Sequence, residues 1–525
     1  MQTTHDIDCI IVGSGICGVH AAYPLVERGL RVAMLDVGII GETEKRDERT
    51  FEDIRRTEPE QYKIFLGNDF SGIDLGGDHA RAMVSGRRSH VASGGDIYAP
   101  IEQGTTQVLQ SFARGGLSEA WSGACEFFES EELQAAGLPD LKTHYQTIID
   151  RIGVSGKREG YRLQPAPNID ETFSSLFARY KAREERVRLA GFSLEQPMYA
   201  MLTQDLDGRS AQTYRDMDFW DNSCRTLYRA SFTLEKLRTH ENFTYIPGHL
   251  VLAVSDKKDG VTVVTRTIET GATKEFAAHR LVMAAGAINT TRILLRSFAV
   301  SNPSAPILMK NNYNVPLLFP AMLGQAPQPR RHSFVQLAIK GHTRRNGMGD
   351  AYAQLIPYNS LLLNKLLRYV PLPIPEAFSM LSMLAPSIII ADIRFPSTME
   401  KEHRVVLRTN GDRDALEIEY PEKTGERAAQ ESTVSQVKKV LRSFGLFPLT
   451  TVRNPYGATS HYAGGVPIEE TPTSALSADS TCHLHGHEGI FIADAATWRA
   501  LPAKPSGLTM MANANRVGEE VARHF

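Results

Sequence analysis

Three glycines near the start of the chain are spaced for work on a phosphate. In "IDCIIVGSGICGVHAAYPLVERGLRVAMLDVG", residues 7–38, Gly13, Gly15 and Gly18 directly follow an apolar run and open an amphipathic one. Gly13 permits a tight turn, Gly15 lets the backbone approach a pyrophosphate, and Gly18 allows a helix to pack closely on a strand. The helix begun by Ser14, Gly15, Ile16 and Cys17 presents free N–H groups to phosphate oxygens. Eighteen residues after Gly18 comes Asp36, followed by Val37. Its carboxylate can accept both hydroxyls of an adenosine ribose and repels a 2′-phosphate. This is a dinucleotide site, and by itself it leaves NAD and FAD open.

A second stretch, "GIFIADAATW" at 489–498, is an apolar strand ending at Asp494 and Ala495, with a helix some ten residues later. A carboxylate there can take a hydrogen bond from a ribityl hydroxyl. A C-terminal segment that returns to an N-terminal nucleotide fold is the habit of large flavoproteins, so FAD is favoured. Nearby, Cys482, His483, His485 and His487 stand in "CHLHGHEG". Their spacing matches no standard zinc pattern, so this stretch reads as a loop before the strand and no metal site is expected.

These groups need elements to hold them. Residues 7–12 read as a buried strand, 15–29 as a helix and 31–35 as a second strand, a β-α-β unit. From 224 to 300, "FTYIP", "LVLAV" and "VTVVTRT" suggest a small antiparallel sheet, and "LVMAAGAINTTRILL" passes from strand to helix. Between 330 and 420 the runs "SFVQLAI", "YAQLIPY", "SIIIADIRF", "RVVLRT" and "ALEIEY" read as the large sheet of a separate substrate domain. Residues 424–444 form a long helix capped by Gly445, and a last helix covers 508–524.

At 525 residues the chain exceeds one ordinary core, and with no internal repeat or proline-rich linker its domains are expected to interleave. Its 58 basic and 60 acidic residues carry no long block of one sign, which argues against a nucleic-acid or anionic-membrane partner and for a small molecule. Five scattered cysteines, Cys9, Cys17, Cys125, Cys224 and Cys482, point to reduced thiols in a cytoplasmic protein. The opening MQTTHD lacks the features of a secretory signal. The apolar stretch 361–391 contains Lys365, Arg368, Glu376 and four prolines, so it falls short of the roughly 20 uninterrupted apolar residues of a membrane span. It reads as an apolar wall or lid over the substrate, with a membrane-surface or partner-docking role as the alternative.

Three further segments carry a family resemblance: "ARGGLSEAWSG" at 113–123, "VMAAGAINTTRILLRS" at 282–297 and "SHYAGG" at 460–465. Over nearly its whole length the chain resembles the glucose-methanol-choline (GMC) oxidoreductases. The resemblance implies an α/β protein in which a Rossmann-like FAD-binding domain, a parallel sheet plus a small antiparallel one, is interleaved with a substrate domain on a large, mainly antiparallel sheet. The expected boundaries are 1–160, 224–300 and 446–525 for the first, and 161–223 and 301–445 for the second.

In that family the segment holding Arg114, Gly115, Gly116, Ser118, Trp121, Ser122 and Gly123 packs on the flavin. It looks most like the pyranose oxidase branch, but the flavin-linked histidine of that branch is Ala120 here, so FAD is expected to be held non-covalently. Ala284, Ala285 and Gly286 correspond to the turn near the adenine-side phosphates, and Val251 to the residue whose backbone meets the adenine. "HYAGG" resembles the H-P-L-G-G of cholesterol oxidases, which makes His461 the inferred catalytic histidine. Leu508 and Thr509 align with the head of the last helix.

The clearest departure is "LPAKPSGLTM" at 501–510, where the family has Asn-Pro or a second histidine and this chain has Lys504, Pro505 and Ser506. Either Lys504 or Ser506 replaces the missing partner, or Lys504 points to solvent and His461 acts alone. The implied reaction is oxidation of a hydroxyl, on a carbohydrate or a sugar-bearing natural product, with His461 as general base and flavin N5 as hydride acceptor. An imidazole suits the proton step because its unperturbed pKa, about 6.5, lies near working pH. Oxygen and other electron acceptors both remain open. The rival reading keeps the fold and assigns the flavin to a net non-redox lyase, isomerase or cyclisation reaction; the unusual "AKPSG" favours it.

Overall fold

The computed structural model describes residues 7–525 apart from 42–52, 55–56, 69, 74–83, 85, 218–224, 259, 300–302, 327–330, 342–343, 346–347, 350, 359–365, 411–412 and 475. Residues 1–6, Cys224 and the start of the apolar stretch, 361–365, therefore lie outside the described residues.

The runs richest in β-branched and aliphatic residues build a five-stranded parallel sheet. Its order is Ile490–Ile492, Arg280–Met283, Cys9–Val12, Val32–Leu35, Phe243–Ile246. Cys9 pairs with Arg280 on one side and Val32 on the other, so the N-terminal strand is the centre of the sheet. A strand covered on both faces has no polar side to show, which is why Cys9–Val12 is apolar throughout and buried throughout. Full burial of each of these aliphatic side chains contributes about 1.5–3 kcal/mol.

Helix Ile16–Glu27 covers one face and packs along the last helix, Gly507–Arg523. At their contact Gly518 sits so close to the Ala21 carbonyl that any side chain there would collide. The small antiparallel sheet consists of His249–Lys257, Gly260–Thr267 and Thr273–Ala278. The "FTYIP" run expected in it is instead the edge strand of the parallel sheet, paired with Val32–Leu35. Short-range patterning cannot distinguish these fates, because both are half-covered edges.

The second large element is a seven-stranded antiparallel sheet. Along its path run Phe447–Pro448, Asn312–Leu318, Ile388–Arg394, Tyr352–Pro357, Leu337–Gly341 and Phe192–Glu195, and Val452–Arg453 also pairs with Asn312–Leu318. Its outer face, with Val315, Leu317, Ile339, Leu355, Ile389 and Ile393, packs on helices Glu171–Lys181 and Glu426–Ser443. The other face turns inward to the cleft.

Two strands expected in this sheet go elsewhere. "RVVLRT" and "ALEIEY" form a hairpin, Arg404–Asn410 with Arg413–Glu419, in a separate four-stranded sheet. Its Val405, Leu407, Leu416 and Ile418 share a core with Ile10, Val12 and Ile490 of the parallel sheet. The "SFVQLAI" strand starts only at Leu337. The apolar stretch divides into helix Ile374–Leu384 and the central strand Ile388–Arg394. Among the described residues, no helix is long and apolar enough to cross a membrane.

Candidate active site

The glycine turn closes over the ends of the parallel strands. At Gly13, φ is +98° and a Cβ would lie 2.6 Å from the Ala284 carbonyl oxygen, so only glycine fits between these two strand ends. Gly18 is equally constrained by the Gly13 carbonyl. Gly15 differs: a Cβ there would meet nothing within 4 Å. The space it leaves opens into the cleft, and helix Ile16–Glu27 starts there without a side-chain cap. Helix Ala287–Phe298 likewise starts uncapped at Gly286, whose Cβ position is also empty. Two helix N-termini whose N-cap glycines offer no side chain thus border one cleft, the arrangement an anionic pyrophosphate needs.

Asp36 faces the cleft beside this turn, accepting hydrogen bonds from the Ser14 hydroxyl and, at 3.0 Å, from Tyr245. Burial pushes its carboxyl up to about 6. Asp494 also lines the cleft, but its oxygens already accept from the Gly286 N–H at 2.9 Å, the Thr290 hydroxyl at 2.6 Å and the Ala496 N–H at 3.0 Å. It fixes the turn that starts helix Ala287–Phe298. Beside it, the buried Asn289 Oδ1 lines the cleft with no hydrogen-bond partner among the described residues.

The Gly115-Gly116 segment crosses directly over the turn. The Gly115 N–H donates to Ser14 Oγ at 2.9 Å, and a Cβ on Gly116 would approach the Gly15 Cα to 3.4 Å. Ser118 holds this segment by donating to the Gly115 carbonyl at 2.7 Å and accepting the Ala230 N–H at 2.9 Å. Trp121 donates to the Tyr228 carbonyl at 2.6 Å. Ala120 faces the cleft with only a methyl group, which offers no atom for a covalent link. The cleft has a volume of about 450 Å³. Gly13, Ser14, Gly15, Ile16, Cys17, Asp36, Val37, Gly116, Ser118, Trp121, Ser122, Val251, Ala284, Ala285, Gly286 and Asp494 all line it. Gly18, Arg114, Gly115, Gly123, Ala495, Leu508 and Thr509 do not line it; Thr509, for example, shares a 2.7 Å hydrogen bond with Tyr145 beneath the last helix.

His461 stands where this cradle meets the wide sheet. Ser460 before it takes a left-handed turn, φ +58°, and Gly465 after it lies so close to Thr291 that a side chain would overlap. Its Nδ1 is 3.1 Å from Ser506 Oγ and its Nε2 is 3.2 Å from the Arg394 guanidinium. Arginine can only donate, so Nε2 is the acceptor and Nδ1 carries the proton toward Ser506. Burial, then the charges of Lys310 and Arg394, hold the imidazole well below its ordinary pKa and keep it neutral.

Of the two groups considered as its partner, Ser506 is the one in contact. Lys504 is turned away from the cleft and is not at the surface either: its ammonium lies 2.7 Å from Glu132 and 3.4 Å from Glu129. Both placements considered for Lys504, at the histidine or in solvent, are therefore replaced by a third. Two carboxylates on and before helix Ser130–Ala136 draw it into the protein.

The wide sheet supplies groups that no motif announces. Asn314 pairs with Asp392, and Asp392 with Gln354, so three polar side chains form a row across three strands. The adjoining row brings Asn312 opposite Arg394. Arg394 is paired with Asp392 at 2.8 Å, and Asp392 accepts from Asn312. Gln354 is 1% exposed and its Nε2 has no hydrogen-bond partner among the described residues. The one available signal is period-two polarity, Asn312 and Asn314 in one strand and Asp392 and Arg394 in another, within runs otherwise made of core residues.

The histidines at 483–487 part company. His483 stacks on Phe491 at 4.6 Å, His485 bonds the Glu469 carbonyl at 2.9 Å, and His487 packs on Phe298 at 3.9 Å. Among the described residues, no group of three or more histidines, cysteines and acids could hold a metal ion.

No family model matches the chain. It is 22% identical to the fructose dehydrogenase large subunit of Gluconobacter japonicus, over 99% of this chain and 98% of that one. It is 25% identical to the paromamine 6′-oxidase of Streptomyces fradiae, over 55% of this chain and 49% of that one. Its fold matches the crystal structure of pyridoxine 4-oxidase from Mesorbium loti with a TM-score of 0.61 at 14% identity, covering 99% of this chain and 100% of that one. With a dehydrogenase similar from end to end in sequence and an oxidase similar from end to end in fold, the chain is similar to oxidoreductases of the glucose-methanol-choline type that act on alcohol groups.

Proposed function

We propose that the protein oxidises a hydroxyl of a carbohydrate or sugar-bearing molecule, with FAD held non-covalently in the glycine-lined cleft and His461 as the general base. The observation that carries this reading is His461 at the cleft between the nucleotide cradle and the polar row of the wide sheet, with its Nε2 placed as acceptor by the Arg394 donor. The cradle fits a dinucleotide: an open Cβ position at Gly15, two uncapped helix starts and an acid at the ribose position. Bound FAD supplies the hydride acceptor.

The residues of the chain then have distinct work. A substrate hydroxyl replaces Arg394 at Nε2 and gives its proton to that nitrogen. Ser506 holds the imidazole in orientation through Nδ1. Arg394, beside the histidine, stabilises the negative charge developing on the same oxygen. The imidazole stays deprotonated before reaction because of its burial and its cationic neighbours.

Two facts support a polyhydroxyl substrate. One is the Asn314-Asp392-Gln354 row, which offers donors and acceptors at neighbouring positions, as a ring of hydroxyls requires. The other is the sugar-directed names of the dehydrogenase and the paromamine oxidase. The contact between Ser506 and His461 gives the histidine a second group beside it, which favours oxidation over a net non-redox reaction.

The test is anaerobic: the flavin absorbance of purified protein is followed against free sugars, aminosugars, glycosides and hydrophobic alcohols. Bleaching by the sugar classes supports the proposal. Bleaching by hydrophobic alcohols alone overturns the substrate class, and a flavin that no alcohol bleaches overturns the reaction. Admission of air to the bleached enzyme then separates oxidase from dehydrogenase.

A further inference from the structure

Lys310 is 0% exposed, an unusual position for a lysine, and it belongs to no motif. It follows the short strand Leu308–Met309, which pairs with Tyr462–Ala463 immediately after the catalytic histidine. Its backbone N–H donates to the His461 carbonyl at 3.4 Å, and its own carbonyl accepts the Gly457 N–H at 2.9 Å. Its side chain runs the other way, and Nζ donates to the Lys504 carbonyl at 2.6 Å, two residues before Ser506. One residue therefore binds both loops whose side chains meet in the His461–Ser506 hydrogen bond.

We propose that Lys310 is a positioning residue for the oxidation: from behind the His461–Ser506 pair it clamps the His461 loop to the Ser506 loop. This rests on the reading of His461 as the base. The groups around the pair come from every neighbouring element. Arg394 and Asp392 face them from the wide sheet, Glu132 from helix Ser130–Ala136, and Ser506 from the last loop. Lys504, which also approaches, is neutralised by Glu132 and Glu129. Burial and then Arg394 pull the Lys310 amine well below its ordinary pKa while Glu132 and Asp392 favour its charged form, and to the extent that the amine is charged it adds to the burial that pushes His461 down. Removing that charge therefore raises the histidine.

The experiment uses FAD-loaded protein labelled with ring-¹⁵N histidine, with the His461 signal assigned by its loss in His461→Ala. In the wild type His461 should titrate below its ordinary pKa of about 6.5. In Lys310→Met its titration should move up by about one pH unit, tenfold in proton affinity. Lys310→Arg, which keeps a charge, should leave the titration near that of the wild type. If Lys310→Met does not fold, Lys310→Gln serves: it lacks the charge and retains a donor for the Lys504 carbonyl. An unchanged His461 titration in the uncharged variant overturns this charge effect.

The clamp is tested separately by crossing Lys310→Met, or Lys310→Gln, with Ser506→Ala. If Lys310 acts through the Ser506 loop, the double variant reduces its flavin no more slowly than the slower single variant, whereas fully multiplicative losses overturn the clamp. Failure of the base reading would look different, since His461→Ala would then reduce its flavin at the wild-type rate whatever the titration showed.

Discussion

The two walls of the cleft are built on opposite principles. The nucleotide wall is made mostly of backbone, and its centre, Gly13, Gly15, Gly18, the start of helix Ile16–Glu27 and the Asp36 carboxylate, is placed by one β-α-β unit within some thirty residues. The substrate wall is made of side chains, Asn314, Gln354, Asp392 and Arg394, drawn from three strands of the wide sheet. A backbone site needs particular glycines at fixed spacing, and a side-chain site needs only one polar residue at the right register on each strand. The first kind of constraint leaves a motif and the second leaves almost none. The difference also bears on chemistry, since the backbone wall suits a ligand common to many enzymes, and the side-chain wall can be changed one residue at a time to suit another substrate.

The comparison breaks most readily at the seam. His461→Ala should lower the rate of anaerobic flavin reduction by about 10³-fold, the usual worth of a general base, while the protein remains yellow. Unchanged stopped-flow kinetics would place the base elsewhere. Because the imidazole is held below its ordinary value, the acid limb of the wild-type reduction profile should lie below pH 6.5, the rate rising as His461 loses its proton and levelling off above it. A limb above that point would contradict the neutral histidine.

The backbone wall is tested by Asp36→Ala. Two protein donors already orient this carboxylate, and loss of charged hydrogen bonds to ribose should weaken FAD binding by about 10- to 100-fold. Equilibrium dialysis giving wild-type FAD affinity would remove Asp36 from the site.

For the side-chain wall, Gln354→Leu should raise KM for a sugar several-fold, by about 1 kcal/mol, with little change in kcat. A pure kcat effect would show that Gln354 acts on the reaction and not on recognition. The smallest effect on turnover is expected at Lys504. Lys504→Met strands the buried Glu132 carboxylate, so the loss, about 3 kcal/mol, should appear in thermal unfolding. A large fall in flavin reduction at equal FAD content would return Lys504 to the chemistry.

Much of the site is legible in the order of the residues. Gly13, Gly15 and Gly18 announce their turn because each meets a local steric demand, and Asp36 follows at the distance that one helix and one strand impose. "SHYAGG" and "KPSG" point to the region of the proposed base, but the sequence cannot choose between Lys504 and Ser506. They are two residues apart on one loop, and the choice depends on which way each side chain faces. Glu132 and Glu129 decide it, some 370 positions away, by drawing the lysine inward.

The sequence by itself thus determined the β-α-β unit and its phosphate turn, because these depend on contacts within a short stretch of chain, and its resemblance to a family pointed to the kind of enzyme. Tertiary structure alone decided that "FTYIP" completes the parallel sheet, that the 404–419 hairpin leaves the wide sheet, and that Arg394 and Lys310 reach His461. Strand partners and cross-strand register join residues far apart in sequence, and periodicity within a strand fixes which face a residue occupies but not what it will find there.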